Sequence, residues 1–218
     1  MRAGTIRSAL MAGVVALCGT AARADISPEA ASVQASWDQI NFGTGGDAKQ
    51  EAMLGLVKEC EMLTSAHGDD PELLTWCGIA NSSYAGMASA LSAMKYAKAA
   101  RADLEKAIAL NPTVLSGSAQ TSLGTLYARV PGWPIGFGDD DKAEKLLLQG
   151  LEANPDGMPS NFFYADFLLE KDQYAEARKH LDKALSAPPR PDRPLADQGR
   201  KAEIQALMAK LDQTTGGK

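Results

Sequence analysis

A thirteen-residue pattern that occurs three times constrains the fold of this chain more than any other feature of its sequence. In each copy a small residue is followed by leucine four positions later, by Ala or Gly seven positions later and by proline twelve positions later. The copies span residues 100–112, 143–155 and 177–189. Small residues let two helices approach closely, leucine fills the space beside them, and proline ends the helix. The pattern therefore predicts the second helix of a repeated helical hairpin.

The first helix of such a hairpin is also visible in the sequence. Leu123-Gly124-x-x-Tyr127 matches the L-G-x-x-Y signature of tetratricopeptide units, and Ala165 and Tyr174 stand where the third unit needs a small residue and an aromatic one. The third copy follows the second by 34 residues, which is the tetratricopeptide period. We therefore expect an all-α fold, a tetratricopeptide-like helical-repeat array (α-solenoid) of about nine helices with a C-terminal capping helix.

Caps, breakers and apolar periodicity divide the chain into segments. We expect a leader at 1–24, an N-terminal helix and flexible break at 25–46, a repeat domain at 47–187, a linker and capping helix at 188–212, and a disordered tail at 213–218. Within these segments the predicted helices lie at about 27–40, 47–66, 71–90, 95–110, 118–130, 139–153, 160–171, 173–187 and 196–211.

The first 24 residues have the organisation of a cleaved signal peptide. Arg2 and Arg7 precede an apolar run at 9–18, and Ala22-Arg23-Ala24 fits a signal-peptidase site, with cleavage after Ala24. The run is too short to span a bilayer, which takes about 20 residues. Cleavage removes three arginines and no acid, so the formal charge changes from −5 to −8. We expect export, and a periplasmic protein if the source is a Gram-negative bacterium.

Two alternatives to a soluble exported protein receive little support. A lipoprotein would use Cys18, but Leu17 before it is bulkier than a lipidation site accepts, so we do not expect lipidation. A general nucleic-acid binder needs a surplus of cations to neutralise phosphates, and the sequence pI is about 5.1.

Two cysteines remain after cleavage, and an even count in an oxidising compartment suggests a disulfide. Cys60 lies on one predicted helix and Cys77 on the next, which Asp70 begins as N-cap. The midpoint between the cysteines falls at Gly68, the expected C-terminal cap of the first helix. Two antiparallel helices reversing there would bring Cys60 and Cys77 together. The alternative is a pair of buried free thiols.

The second repeat unit contains an insertion. It follows the first by 43 residues, nine more than the period, and seven of the nine fall in the turn at 130–138. Two prolines and three glycines exclude a helix there, and the glycines permit positive φ. We expect Trp133 and Phe137 to pack onto Tyr127 and the aromatic residues of the third unit. The alternative is that Trp133 stays exposed at the rim of the repeat groove.

The insertion and its flanks resemble a family. The resemblance is to exported bacterial tetratricopeptide-like proteins that are similar in organisation to the T-component family of tripartite (TRAP) transporters. It covers most of residues 47–211, and its most specific part is Pro-Gly-Trp-Pro-Ile-Gly-Phe-Gly at 131–138. It implies a periplasmic binding or accessory protein without enzymatic activity. The segments that carry it are 117–119, 122–127, 130–138, 139–143, 193–197 and 200–204.

The sequence contains no recognisable catalytic or metal-binding set. His67 lies beside the predicted helix reversal and His180 on the polar side of a repeat helix, and neither accompanies a Ser or Cys motif or has metal-ligand spacing. The three acids at 139–141 begin a helix, where the macrodipole favours them, and they lack the alternating ligands of a calcium loop. We expect no catalytic residues, no metal and no cofactor.

Aromatic residues form the only candidate site. Most of them fit inter-repeat packing, and the alternative is that some line a groove on the concave face of the stack. One functional hypothesis is a scaffold that binds a periplasmic protein partner through this groove. The alternative is an accessory protein that holds a small apolar molecule or lipid in an enclosed cavity. The candidate binding residues are Tyr127, Trp133, Phe137, Phe162 and Tyr164.

Overall fold

The computed structural model describes residues 26–216, and this part of the chain contains nine α-helices, one short 3-10 turn at 114–117 and no β-strand. The predicted all-α fold is confirmed. The predicted signal peptide lies outside the described residues. The helices are α1 Pro28–Gly43, α2 Gly46–Ala66, α3 Pro71–Ala85, α4 Ala90–Leu110, α5 Ser118–Arg129, α6 Asp140–Ala153, α7 Met158–Glu170, α8 Tyr174–Leu185 and α9 Pro194–Thr215.

Most helix ends lie within three residues of the predicted positions, because capping residues define them. Asp70 accepts hydrogen bonds from the backbone N–H groups of Glu72 and Leu73 at 2.9 and 3.0 Å, as expected of an N-cap. The boundary between α3 and α4 lies about five residues earlier than predicted, since Gly86 ends α3. The C-cap of α2 is His67 rather than Gly68.

The C-terminal helix is longer than its apolar pattern predicted. It begins at Pro194 and continues to Thr215, into the segment 213–218 that we expected to be disordered. Its last buried residue is Leu211, where the predicted helix ends. The additional turn therefore lies beyond the part of α9 that packs on the rest of the protein.

The helices form two layers. Four helical hairpins follow one another, α1 with α2, α3 with α4, α5 with α6 and α7 with α8, and α9 stands alone after them. The first helices of the hairpins and α9 contact one another in chain order and make the inner layer. Helix α9 also contacts α1, so the contacts of the inner layer close into a ring. The C-terminal helix therefore joins the two ends of the stack in addition to capping it.

The hairpins α3–α4 and α5–α6 are tight because a glycine on the first helix faces a leucine on the second. A Cβ added at Gly78 would lie 2.6 Å from Cγ of Leu104, and one added at Gly124 would lie 2.9 Å from Cγ of Leu147. Both leucines are almost fully buried. These contacts give the repeated pattern its physical meaning, since the repeated leucine occupies the space that the small residue leaves open.

An ion pair joins α9 to α1. The guanidinium of Arg193 donates from Nε to Oδ2 of Asp38 at 2.9 Å, and its Nη2 bonds the other carboxylate oxygen. The two side chains are only 13% and 11% exposed. The same guanidinium lies 4.7 Å from the centre of the Trp76 ring on α3. Arg193, at the start of α9, thereby contacts both α1 and α3.

Candidate functional site

The five aromatic candidates lie in three separate places rather than in one site. Tyr127, Phe137 and Trp133 belong to the inserted loop and the end of α5. Phe162 faces α9 on the inner layer. Tyr164 lies between α7 and α8, where its ring meets that of His180 edge-on at 4.9 Å. The structure therefore brings only three of the five together.

The base of the inserted loop is packed as predicted for Phe137. Its ring meets the Tyr127 ring edge-on with the centres 5.6 Å apart, and the Arg101 guanidinium covers its face at 4.5 Å. The Tyr127 hydroxyl donates to Oε1 of Glu105 at 3.2 Å. Burial raises the pKa of Tyr127, and the nearby Glu105 carboxylate raises it further. These contacts fix where the loop begins and ends.

The tip of the loop projects into solvent. Trp133 is 89% exposed and Ile135 is 76% exposed. The N–H groups of Ile135 and Gly136 both donate to the Gly132 carbonyl at 3.1 Å, and Gly138 N–H donates to the Pro131 carbonyl at 3.0 Å. These hydrogen bonds close the loop on itself, and its tip does not pack against the third unit. The expectation that Trp133 packs internally is wrong.

The glycines of this loop serve close approach rather than positive φ. A Cβ at Gly136 would lie 2.4 Å from the Pro131 carbonyl oxygen, and one at Gly138 would lie closer still to that of Val130. No loop glycine is among the positive-φ residues of the described chain. The expectation that the loop glycines adopt positive φ is therefore wrong. At Gly136 and Gly138 the backbone comes too close to leave room for a side chain.

His180 occupies a half-buried position, not the polar side of its helix. Its Nδ1 lies 2.9 Å from Oδ1 of Asn161 in α7, and Asn161 is fully buried. Burial lowers the pKa of His180, and the charge of Lys183 lowers it further. Because the amide of Asn161 also donates to the carbonyls of Pro155 and Gly157, this group is a packed polar contact between two helices.

A groove lies on the inner layer between α5, α7 and α9. It is a shallow depression of about 440 Å³ that is largely open to solvent. Five of its nine lining residues are charged, and the others are two phenylalanines, an alanine and a leucine. The lining residues are Arg129, Phe162, Phe163, Asp166, Arg200, Glu203, Ala206, Leu207 and Lys210.

Arg200 is the buried cation at the floor of this groove. Its guanidinium lies 4.7 Å from the ring centres of both Phe162 and Phe163, and its side chain is 11% exposed. Nη1 donates to Oε2 of Glu203 at 2.6 Å. Burial lowers the pKa of Arg200, and the Glu203 carboxylate opposes that effect. A cation held between aromatic rings presents both an apolar and a polar surface to an occupant.

The wall opposite α9 is held by a second arginine. Arg129, the last residue of α5, pairs with Asp166 and, at 2.6 Å, with Oε1 of Glu170 on α7. Sequence reasoning named neither Arg129 nor Arg200 as a candidate. Nothing in the repeat pattern marks them, because the carboxylates that pair with Arg129 and the rings that flank Arg200 lie on another helix, α7.

The two cysteines are bonded as a disulfide between α2 and α3. The Cα atoms of Cys60 and Cys77 are 5.4 Å apart, which is the usual separation for a bridge. Both residues are buried in the core of the N-terminal half, together with Val57 and Leu73. The bridge fastens α2 of the first hairpin to α3 of the second.

Residues 26–216 provide neither a metal-binding cluster nor a membrane span. No group of three or more His, Cys, Asp or Glu side chains is placed to hold a metal ion in that range. Across the same described residues, no helix combines the length and the hydropathy needed to cross a bilayer.

Comparisons with known proteins identify the class of fold. The sequence matches the tetratricopeptide repeat at residues 82–114 and 159–191, which correspond to the first and third predicted units. The inserted loop interrupts the unit between them. No curated protein is similar enough to this chain to count as a match.

Two solved structures are similar. TTC0263, a thermophilic TPR protein in Thermus thermophilus, has a TM-score of 0.56 at 19% identity, covering 75% of this chain and 77% of its own. A MamA RS-1 ArsTM double mutant has a TM-score of 0.44 at 14% identity, covering 87% and 99%, and this weaker likeness supports no inference. The chain has a tetratricopeptide-like helical-repeat fold, a class typical of non-catalytic protein-interaction scaffolds.

Proposed function

We propose that this protein is an exported, periplasmic interaction scaffold that receives a segment of another protein in the groove between α5, α7 and α9. The observation that carries the proposal is the lining of the groove, where the Arg200 guanidinium lies between Phe162 and Phe163. A peptide segment offers carbonyl and carboxylate oxygens to the cation and apolar side chains to the rings. The signal-peptide pattern and the disulfide support an oxidising compartment. An accessory role beside a transporter remains a prediction from the family resemblance.

A small-molecule ligand is the second candidate, because about 440 Å³ falls within the range of ligand pockets. The binding of a small apolar molecule or lipid, as predicted from the sequence, requires an enclosed apolar cavity. The groove is open, and more than half of its lining residues are charged. These properties favour a polypeptide segment over an apolar molecule.

The proposal is tested by cross-linking from inside the groove. A photoreactive side chain replaces Ala206, an exposed residue of the lining, and irradiation in the source cells should give an adduct with a different polypeptide. The same side chain at Met62, an exposed apolar position on α2, is the matched control. Lys210→Glu should weaken the adduct, since it reverses a charge at the rim without touching the core.

Three results would count against the scaffold proposal. Equal adducts from positions 62 and 206, or adducts with this chain alone, would contradict a partner in the groove. A small molecule retained in native mass spectrometry and displaced by filling the groove would favour the second candidate. Export is checked separately by the N-terminus of the purified protein, which should be Asp25.

A further inference from the structure

Three large apolar side chains are exposed on one edge of the repeat stack, outside the groove. Trp133, Ile135 and Leu91 are 89%, 76% and 99% exposed. Leu91 lies one turn before Met94 on α4, and a Cβ added at Gly136 of the inserted loop would lie 2.9 Å from the Met94 methyl carbon. The start of α4 and the tip of the loop are therefore neighbours, and these three side chains form one apolar edge.

The backbone of the loop tip has few groups that need water. Pro131 and Pro134 carry no N–H, and the N–H groups of Ile135 and Gly136 already donate to one carbonyl within the loop at 3.1 Å. No charged residue stands at positions 130–138. Because an unpaired N–H or a charge is costly to remove from water, this segment meets little opposition to entering a lipid interface.

Lysines flank the apolar edge on α4. Lys95 and Lys98 follow Leu91 by four and seven positions, so the three lie on one exposed face of the helix. Lys95 lies 5.1 Å from the ring centre of Tyr96, and neither lysine has a carboxylate partner in the part of the chain that the structure describes. The sequence has no Asp or Glu at positions 73–102, although the formal charge of the whole chain is −5. This face of α4 is therefore locally cationic.

The aspartates on the other flank of the loop cancel only part of this charge. Asp139 pairs with Lys142 at 3.1 Å, and Asp140 pairs with Lys171. Asp141, in the first turn of α6, forms no ion pair among the described residues. Two unpaired lysines and one unpaired carboxylate therefore flank the apolar edge, which leaves a net positive charge.

We propose that the apolar edge binds the surface of an anionic phospholipid bilayer. Its three side chains enter the headgroup region, and the two lysines contact lipid phosphates. Tryptophan favours that region because its ring is apolar and its N–H is polar. A bilayer accepts side chains that project from a fold, whereas a protein partner for Trp133 must supply a hollow of matching shape.

Binding of this kind is peripheral and reversible. A few apolar side chains and two charges hold a protein far less firmly than a membrane-spanning helix does. The apolar edge shares no residue with the lining of the groove between α5, α7 and α9. Either site can therefore be removed by substitution without changing the other, and the bilayer contact would place the scaffold at a membrane surface.

The test is co-sedimentation of the purified protein with vesicles of equal parts phosphatidylglycerol and phosphatidylcholine, and with vesicles of phosphatidylcholine alone. We expect stronger binding to the anionic vesicles, and weaker binding as the salt concentration rises. Trp133→Ala should lower the partition coefficient at least about tenfold, because the indole no longer enters the interface. Lys95→Gln combined with Lys98→Gln should lower it about 30-fold on the anionic vesicles, since each lysine contributes about fivefold.

A control and a variant with the opposite effect accompany these two. Lys58→Gln combined with Met62→Ala removes an exposed charge and an exposed apolar side chain from α2, and it should leave the partition coefficient unchanged. Asp141→Asn removes the unpaired carboxylate and should raise binding to the anionic vesicles about fivefold. Circular dichroism of each variant checks that the fold is retained.

Fluorescence shows whether the tip itself enters the lipid. Trp37 and Trp76 are 7% and 5% exposed, so a change in emission on binding reports on Trp133. The emission should shift to the blue with anionic vesicles, and lipids with brominated acyl chains should quench it. Trp133→Ala should show neither effect.

The inference is overturned if the wild-type protein does not bind the anionic vesicles at low salt, if Trp133→Ala or the double lysine variant binds as the wild type does, or if brominated lipids leave the emission unchanged. A photoreactive side chain at position 135 that captures a polypeptide, without vesicle binding, would assign the edge to a protein partner instead. Cross-linking from position 206 tests the groove separately. A partner adduct without vesicle binding removes only this inference, and vesicle binding without an adduct removes only the scaffold.

Discussion

Asp103 is a partly buried carboxyl group where α4 packs on α3. The amide of Asn81 donates to it at 3.3 Å. Burial raises its pKa from 3.8 to about 6, while the Asn81 hydrogen bond and the charge of Lys106 oppose that shift. The folded protein therefore holds this proton to a higher pH than the unfolded chain does.

The consequence is a pH-dependent loss of stability. Between about pH 4 and pH 6 the unfolded chain releases the proton first, so the free energy of unfolding falls as the pH rises, and it levels off above pH 6. Asp103→Asn should abolish this decline and raise the free energy of unfolding by about 1–3 kcal/mol at pH 7, with no gain below about pH 4. Urea titrations at a series of pH values measure both the pH dependence of the free energy of unfolding and its gain at pH 7. Glu61→Gln, on an exposed face of α2, is the control, and an equal gain for it would refute the interpretation.

At the scale of the element, the repeat pattern acts through close helix packing, which a pair of glycines can test. Gly124→Ala puts a methyl group 2.9 Å from Leu147 Cγ and 3.0 Å from the Ala143 carbonyl oxygen, so α5 and α6 must separate. We expect a loss of about 1–3 kcal/mol, the usual effect of overpacking. Gly55→Ala, at an exposed position in α2 with nothing within 4 Å, should instead gain about 0.5–1 kcal/mol. Thermal unfolding of the two variants decides, and a change of the same sign in both would contradict the packing explanation.

The elements were predictable from sequence to the extent that local signals define them. Proline, Asp70 as N-cap and the repeated leucines set helix positions within a few residues, because those interactions are made inside one hairpin. The inserted loop was located by spacing, yet the exposure of Trp133 was not foreseen. Its aromatic character suggested burial, whereas the backbone of the loop closes on itself and the ring stays in solvent.

At the scale of the whole molecule, the groove and the closed inner layer had no sequence signal. Arg129 meets residues about 40 positions away, and Arg193 meets Asp38 at a separation of 155. Isolated arginines in a helical repeat are usually solvated, so nothing distinguishes these in the sequence. The role of Arg193 follows from the curvature of the stack, which brings α9 against α1, and that of Arg129 from the packing of α5 on α7.

The contact between α9 and α1 gives the last prediction. Asp38→Asn leaves the Arg193 charge in a site that is only 13% exposed, so the free energy of unfolding should fall by about 2–4 kcal/mol. Arg193→Met should cost a similar amount. The double variant removes both charges and should lose less than the sum of the two by at least about 1 kcal/mol, since neither charge is then left unpaired. Denaturant unfolding of the four proteins measures this coupling.

Hydrogen exchange then distinguishes a local pair from a closure of the whole stack. If the pair holds the ring closed, Asp38→Asn should increase exchange in both α1 and α9, although 155 residues separate the partners. Because α9 supplies Arg200, Ala206 and Lys210 to the groove, the same variant should also weaken the partner adduct formed from position 206. Purely additive stabilities, with exchange raised in one helix alone, would mean that packing of α9 on α7 and α8 suffices and that the ion pair does not close the inner layer.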